Sequence, residues 1–408
     1  MLTFIDGGVC AAQGFKAAGI HVGVKTHAAW KKDVALIVSD TDCAASAVFT
    51  KNVVKAAPIL VDKVHLADGH ARAVIANSGN ANACAPRGEE FAEKMCAAAA
   101  DVIGCRKEDV LVSSTGVIGQ TLNVHVIENG APALYAALEH SPEGSDAAAH
   151  AIMTTDTVKK EAAVETEIGG KTVRIGGIAK GSGMIHPNMG TMLCFLTTDC
   201  AISPAMIKAA LLESVNVSFN RISVDGDTST NDSCIVLANG LAGNALIEEK
   251  NDDYAAFTAA LKVLCTELAK KMAADGEGAK HLITCTVSGA ADEKSAETIA
   301  KSVISSTLTK AAIFGADANW GRVLCAMGYS GEEFDPDKVD VHFASAAGDI
   351  AVCEKGRGLA FDETLAKKIL TEHDVEILIT MGEGGGSCTC WGCDITYDYI
   401  KINGDYRT

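Results

Sequence analysis

The chain has 408 residues, of which 48% are hydrophobic, and it carries a formal net charge of −17. This length predicts two or three domains with enough apolar material for a sizeable core. The acidic balance argues against nucleic-acid binding, which needs a basic surface, and no uncharged apolar stretch is long enough to span a membrane. The start lacks the basic region of a secretory signal, so we expect a cytoplasmic protein.

Short apolar strands and amphipathic helices alternate along the chain, which predicts an α/β or α+β fold. In chain order the pattern gives strands at 34–38 and 73–76, a helix at 89–103, a strand at 110–112, a surface loop at 142–146, helices at 204–215 and 254–274, and strands at 282–287, 339–343 and 375–380. Several strands are apolar throughout, so we expect a layered sandwich of sheets buried on both faces, with helices outside.

Four segments rich in glycine and hydroxyl residues follow predicted strands, at residues 77–82, 113–119, 225–232 and 381–387. None ends in the Gly-Lys-Ser/Thr of a phosphate-binding loop, and none opens a helix with Gly-x-Gly-x-x-Gly. Nucleotide binding is therefore weakly supported.

The second of these segments contains Ser114, Thr115 and Gly116. Backbone N–H groups beside a glycine, together with a threonine hydroxyl, can form an oxyanion hole that stabilises a tetrahedral intermediate. The alternative is an ordinary turn, which the local sequence by itself favours.

A glycine-bearing stretch runs from Lys180 to Gly190 and ends at Thr191, where an apolar, strand-like segment begins. If the chain cuts itself before Thr191, the new N-terminus carries a nucleophilic hydroxyl and an α-amine that can serve as its base. The alternative is that Thr191 simply opens a buried strand.

Two charged residues beside glycines are candidate substrate ligands. Lys180, at the foot of the glycine-rich loop, is suited to a carboxylate, although an exposed loop lysine is the commoner outcome. Glu277 lies between Gly276 and Gly278 and is suited to an ammonium group; the alternative is a helix C-terminal turn.

Fifteen cysteines and eleven histidines form no metal-binding pattern. Cys388, Cys390 and Cys393 are close in sequence, but no second cysteine or histidine pair completes a zinc site, so we expect inert thiols and no metal. The sequence also lacks the Gly-x-Ser-x-Gly elbow of a Ser–His–Asp hydrolase. A threonine activated by its own amine is then more credible.

Together these segments resemble the ornithine acetyltransferase family of arginine biosynthesis, known as ArgJ, along essentially the whole chain. The matching segments are GFKAAG (14–19), ANSGNANAC (76–84), STGVIGQ (114–120), MTTDT (153–157), KGSGM (180–184), TML (191–193), VDGDTSTND (224–232), DGEG (275–278), DANWGR (317–322) and YIKINGDYRT (399–408).

The resemblance implies a DmpA/ArgJ-like fold and self-cleavage between Gly190 and Thr191. The products would be an α chain (1–190) and a β chain (191–408), which co-fold rather than form independent domains and assemble as two α and two β chains. Thr191 would take an acetyl group from N-acetylornithine and pass it to glutamate in a ping-pong cycle.

The family's functional residues carry over onto matching positions. Thr115 and Gly116 match the oxyanion hole that accompanies the nucleophile Thr191. Six positions match the substrate-binding residues: Thr154, Lys180, Thr191, Glu277, Asn403 and Thr408. The resemblance implies no metal and no organic cofactor, with acetyl-CoA as a further acetyl donor in some members.

The chain departs from the family at two positions near the cleavage point. Gly190 replaces the usual alanine, and because both residues are small, we still expect cleavage. His186 occupies a position that is usually small or apolar, and the sequence assigns it no role.

Two other functional hypotheses remain open at this point. An aminopeptidase or amidase of the DmpA-like group would use the same Thr191 with water as the acceptor. A small-molecule-binding protein with a disabled site would remain one intact chain.

Overall fold

The computed structural model describes residues 2–26, 28, 30–186, 192–382 and 384–405. Its strands are β1 (Thr3–Ile5), β2 (Phe15–Ile20), β3 (Val34–Phe49), β4 (His70–Asn80), β5 (Val110–Val117), β6 (Lys160–Ile168), β7 (Lys171–Lys180), β8 (Leu193–Thr198), β9 (Ile222–Ser223), β10 (Ser233–Ala238), β11 (Leu282–Ala290), β12 (Asp340–Ser345), β13 (Gly348–Glu354), β14 (Arg357–Gly358), β15 (Asp374–Thr380) and β16 (Gly386–Cys393).

The helices are α1 (Ala57–His65), α2 (Gly88–Ile103), α3 (Val124–Ala136), α4 (Pro142–Ile152), α5 (Pro204–Val217), α6 (Asp252–Ala274), α7 (Glu293–Ser305), α8 (Thr307–Phe314), α9 (Trp320–Gly328), α10 (Glu363–Leu370) and α11 (Tyr397–Gly404). All nine predicted strands and helices lie at these elements, so the mixed α/β class is confirmed.

The chain forms two compact units. The first comprises Met1–Gly181, Pro187–Asn220 and Thr228–Ala269, and the second comprises Ser182–His186, Arg221–Asp227 and Lys270–Thr408. The sequence had given no clear boundary between them.

The first unit contains a nine-stranded sheet in the order β1-β6-β7-β8-β10-β3-β4-β5, with β2 also paired to β3. The pairs β8–β10 and β4–β5 are parallel, and β7–β8 and β10–β3 are antiparallel. Strands β8 and β10 therefore lie in the interior of this sheet, between β7 and β3.

This first sheet is buried on both faces, as its apolar strands predict. In β3, Val34 and Leu36 pack with residues of α2 and α3, whereas Ala35 and Ile37 pack on the opposite face with residues of α4. Helices therefore cover both sides of the sheet that carries β5 and β7.

The second unit contains a seven-stranded sheet in the order β14-β13-β12-β15-β11-β16-β9. Its main cluster of buried side chains joins β11, β12, β13, β15 and β16 to α7, α9 and α10. Within β15, buried Val375 and Ile377 alternate with exposed Glu376 and Thr380, so this strand follows the period-two pattern of a sheet packed on one face.

Two sequence predictions were wrong in detail. Residues 142–146 are the first turn of α4 and not a loop, because the Ser141 hydroxyl accepts the N–H of Gly144 at 3.2 Å and Pro142 fills the first helical position. The glycine-rich segments at 77–82 and 113–119 do not simply follow strands, because β4 continues to Asn80 and β5 to Val117.

Candidate active site

At the end of β5, the backbone of Gly116 lies very close to the backbone of the neighbouring strand β4. Gly116 has φ +132° and stands opposite Gly79 (φ +116°) of the parallel strand β4. A Cβ on Gly116 would lie 2.3 Å from the carbonyl carbon of Gly79, so only glycine fits in this position. The predicted oxyanion segment is thus part of a strand and not an ordinary turn.

Buried amide and hydroxyl side chains hold the segment before Gly116 in place. Asn231 Nδ2 donates to the backbone carbonyl of Ser114 at 2.8 Å, and Ser114 Oγ donates to Asn77 Oδ1 at 2.6 Å. Such paired, buried polar groups fix geometry, because breaking either bond leaves an unsatisfied group.

Lys180 lies beside Thr115. It is the last residue of β7 and only 8% exposed, so the exposed-loop alternative was wrong. Its Nζ donates to Thr115 Oγ1 at 3.5 Å and lies 3.9 Å from Asp156 Oδ2. Lys180 pairs with Leu193 of β8, two positions after Thr191, so strand pairing links Lys180 to the strand that follows the predicted cleavage point.

Thr154 is half-buried in the turn between α4 and β6. Its backbone N–H donates to Asp156 Oδ2 at 3.0 Å. The preceding carbonyl, of Met153, accepts from Lys25 Nζ at 2.8 Å. Burial lowers the pKa of Lys25 to about 8, with Asp33 opposing that shift. Thr154 thus lies in a turn held by two charged side chains.

Glu277 belongs to the second unit and is buried. It follows α6 in a turn, as the structural alternative proposed, and its backbone N–H donates to the carbonyl of Ser182 at 2.9 Å. Asn403, near the end of α11, donates from Nδ2 to Glu277 Oε2 at 2.7 Å. The C-terminal helix therefore reaches Glu277, and a Cβ on Gly183 would lie 2.4 Å from the carboxyl carbon of Glu277.

Asp225, in the second unit, binds the backbone of the glycine-bearing stretch that begins at Lys180. Its carboxylate accepts the backbone N–H groups of Met184, Ile185 and Asp227 at 2.5, 3.0 and 3.1 Å. Burial nevertheless raises the pKa of Asp225 above its usual range. The neighbouring His186 contacts Ser223 Oγ through Nδ1 at 3.0 Å, and burial lowers the pKa of His186 to about 4.

Three of the predicted site residues, Gly190, Thr191 and Thr408, lie outside the described residues. Among the rest, Thr115, Gly116, Thr154 and Lys180 lie in the first unit, and Glu277 and Asn403 in the second. No pattern in the sequence indicated a role for Asp156, Lys160, Lys25 or Asp225. A carboxylate directly after Thr154 and Thr155, followed by a Lys-Lys pair, was the available signal for Asp156.

Cys388, Cys390 and Cys393 lie on β16 and are buried. Within the described parts of the chain, no group of three or more His, Cys, Asp or Glu side chains is arranged to hold a metal. Burial raises the pKa of the Cys390 and Cys393 thiols. Over the same residues, no helix is long and apolar enough to cross a membrane.

The chain is similar to proteins of arginine biosynthesis over its whole length. The model of the ArgJ family matches residues 16–408. An arginine biosynthesis bifunctional protein ArgJ from Symbiobacterium thermophilum is 51% identical over 408 residues, which are 100% of both chains. The chloroplastic ArgJ of Physcomitrium patens is 47% identical over 412 residues, covering 99% of this chain and 78% of the moss protein.

Two solved structures are also similar. A crystal structure of ArgJ from Bacillus halodurans is 44% identical and covers 52% of this chain and 97% of its own, with a TM-score of 0.49. Ornithine acetyltransferase from Mycobacterium tuberculosis, complexed with ornithine, is 37% identical and covers 47% of this chain and 100% of its own, with a TM-score of 0.43.

Proposed function

Because this chain belongs to the ArgJ family, we propose that it moves an acetyl group from N-acetylornithine to glutamate through an acyl-threonine at Thr191. The chain is an ornithine acetyltransferase of arginine biosynthesis, and its substrates are amino acids. The observation that carries this function is the family match over residues 16–408 together with 51% identity along the full length of a relative. The self-cleavage, the acyl-enzyme intermediate and the roles of individual residues are our proposals.

In the proposed first half-reaction, the Thr191 hydroxyl attacks the acetyl carbonyl carbon while the α-amine of Thr191 accepts the hydroxyl proton. The C–N bond then breaks, the proton passes to the departing amine, and ornithine leaves. In the second half-reaction the neutral amine of glutamate attacks the acyl-threonine, and its proton passes to the α-amine of Thr191. The ester C–O bond then breaks, the proton returns to the Thr191 oxygen, and N-acetylglutamate leaves. The amide bond that breaks is equivalent to the one that forms, so this exchange needs no activated acetyl donor. We propose, as the resemblance implies, that it uses no metal and no organic cofactor.

The oxyanion of both tetrahedral intermediates is proposed to bind at Thr115 and Gly116. The positive φ of Gly116 and its close approach to Gly79 restrict the backbone to one conformation at the end of β5. The hydrogen bonds of Ser114 to Asn77 and Asn231 hold this part of the strand in place, and donors held rigidly before the reaction stabilise developing charge most effectively.

Lys180 is proposed to bind the α-carboxylate that both substrates share. Among the described residues, its ammonium makes a single long hydrogen bond, to Thr115, so donors remain for an anion. Glu277 is proposed to bind a substrate ammonium group, with Asn403 orienting its carboxylate. Thr154, Thr191 and Thr408 complete the proposed substrate-binding set.

We also propose that acetyl-CoA serves as a second acetyl donor, in keeping with the bifunctional names of the relatives. The α chain (1–190) and the β chain (191–408) are proposed to assemble as two copies of each in the cytoplasm. Acetyl transfer from acetyl-CoA to glutamate, and native mass spectrometry, test these two points.

The decisive test combines mass spectrometry with a transfer assay. Denatured protein should give two fragments that meet at Gly190/Thr191, and Thr191→Ala should remain one chain of 42.2 kDa. Release of ornithine from N-acetylornithine should require glutamate and yield N-acetylglutamate. Equal release without glutamate would instead identify a hydrolase, and cleavage of Thr191→Ala at the same bond would refute the proposed nucleophile.

A further inference from the structure

A fully buried ion pair, formed by Lys160 and Asp156, lies next to Lys180. Lys160 Nζ and Asp156 Oδ1 are 2.6 Å apart, and both side chains are 0% exposed. Burial alone would raise the pKa of Asp156, but the ammonium groups of Lys180 and Lys160 hold it well below its usual range. Asp156 is therefore a permanent carboxylate in the interior of the first unit.

Both oxygens of this carboxylate accept hydrogen bonds from backbone groups of the proposed site. Oδ1 accepts the N–H of Gly181, next to Lys180, at 2.8 Å. Oδ2 accepts the N–H of Thr154 at 3.0 Å and faces Lys180 Nζ at 3.9 Å. One side chain thus fixes the turn that carries Thr154, the end of β7 and the Lys180 ammonium.

An asparagine could not replace Asp156 in this arrangement. Its amide offers one acceptor atom and one NH₂ donor, whereas donors approach Asp156 from both sides. Either orientation would set the NH₂ group against the N–H of Thr154 or of Gly181. Stability alone does not account for a carboxylate here, because replacing a buried ion pair by apolar groups is often neutral or stabilising.

We propose that Asp156 is a positioning residue for acetyl transfer, which holds the Lys180 ammonium and the Thr154 turn where the substrate α-carboxylate binds, with Lys160 neutralising its buried charge. This inference rests on the proposed role of Lys180. It predicts that Asp156 determines how strongly the enzyme prefers ligands that carry an α-carboxylate.

The test compares two ligands that differ only in that group: ornithine and putrescine, which is ornithine without its carboxylate. Dissociation constants are measured by calorimetry on the cleaved enzyme. The variant is Asp156→Asn combined with Lys160→Met, since removing both charges avoids a buried ammonium that has lost its carboxylate. Asp156→Glu, which keeps the charge but moves it by one methylene, is a second variant that retains the ion pair.

The matched control is Asp199→Asn. Asp199 is also buried in the first unit and also accepts two backbone N–H groups, from Arg174 at 2.8 Å and Gln13 at 3.1 Å. No described hydrogen bond or ion pair links Asp199 to Lys180, Thr154 or Thr115. The Asp199→Asn variant therefore measures the effect of losing a buried carboxylate that has no contact with the proposed site.

We expect the preference for ornithine over putrescine to fall by about 10- to 100-fold in both Asp156 variants, as for a misplaced binding group, and to persist in the control. Weaker binding of both amines by the same factor, or a fallen preference in the control, would show a structural role and overturn the inference. Lys180→Met separates the two proposals. If that variant keeps the preference, the carboxylate role of Lys180 is wrong; if it loses the preference while the Asp156 variants keep it, only the role of Asp156 fails.

Discussion

Gly116 has a backbone conformation that no other residue adopts easily. Its φ of +132° is strained for residues with a side chain, and the Gly79 backbone fills the space that a Cβ would occupy. The same two constraints place the Gly116 peptide at the end of β5 beside Thr115. A substitution at Gly116 must therefore shift the backbone that carries the proposed oxyanion donors.

Replacing Gly116 by alanine should lower acetyl transfer by about 10²- to 10³-fold, the effect of losing one oxyanion donor. The measurement is kcat per folded enzyme, with folding followed by circular dichroism. Gly119→Ala is the control, because Gly119 also has positive φ (+80°) but no atom within 4 Å of its Cβ position. Equal losses in the two variants would mean that backbone strain, and not the site, is responsible.

Lys25 gives the stability of the protein a defined pH dependence. Its pKa falls to about 8 in the folded chain from about 10.4 when unfolded. Between those values the unfolded chain binds more protons at this position, so the free energy of unfolding rises with pH. Below about pH 8 both states are protonated, and the cost of burying the ammonium is present in full.

The wild type should therefore gain about 1–3 kcal/mol of stability relative to Lys25→Met between about pH 8 and about pH 10.5. Urea unfolding of both proteins across this range measures the difference, in which other titrating groups cancel. A constant difference would mean that Lys25 titrates normally in the folded protein.

The sequence was sufficient to select most of the candidate residues but not their environments. An exposed loop was the alternative for Lys180, yet this residue ends a buried strand, because β7 lies in the interior of the sheet and continues up to it. Asp156 was missed since its importance depends on Gly181 and Lys180, which approach it only after folding. Spacing along the chain does not reveal such contacts.

At the level of elements, long periodic segments were predictable and short ones were not. The predicted apolar face of α6 (Phe257, Leu261, Leu264, Leu268 and Met272) is fully buried. Helix α4 was missed because Pro142, Gly144 and Ser145 are typical of turns, while the signal that decides is the cap at Ser141. Short helices such as α8 and α11 depend on tertiary packing and give a weak pattern.

Helix α11 brings Asn403 to Glu277, the proposed ligand of the substrate ammonium group. Removing residues 403–408 should lower kcat/KM by about 10- to 100-fold, since the carboxylate of Glu277 loses its orienting partner. Cleavage should be unaffected, as judged by mass spectrometry. Lys401→Ala, an exposed change on the same helix, is the control; parallel loss of cleavage and transfer in the truncated chain would contradict the prediction.

At the scale of the whole molecule, the nine-stranded sheet interleaves the two proposed chains. Strands β8 and β10, from residues 191–408, lie between β7 and β3, from residues 1–190. Each interior strand is hydrogen-bonded on both sides, so cutting one peptide bond leaves these contacts intact.

We therefore expect the cleaved chains to remain together without denaturant. Size-exclusion chromatography should give one peak that contains both fragments, with a mass of at least 42.2 kDa. Separate elution of 1–190 and 191–408 in buffer would contradict an interleaved sheet. Thr191→Ala, as an uncut chain, provides the reference elution volume.

The interior position of β8 also sets an order of events. While the chain is continuous, only twelve residues separate the end of β7 from the start of β8, so the tether maintains a high effective concentration of one strand next to the other. Once the bond is cut and the fragments are unfolded apart, the same pairing becomes a bimolecular encounter that must overcome the loss of translational freedom. The mature enzyme should thus refold slowly and in a concentration-dependent way, whereas the uncut precursor regains its fold at any dilution.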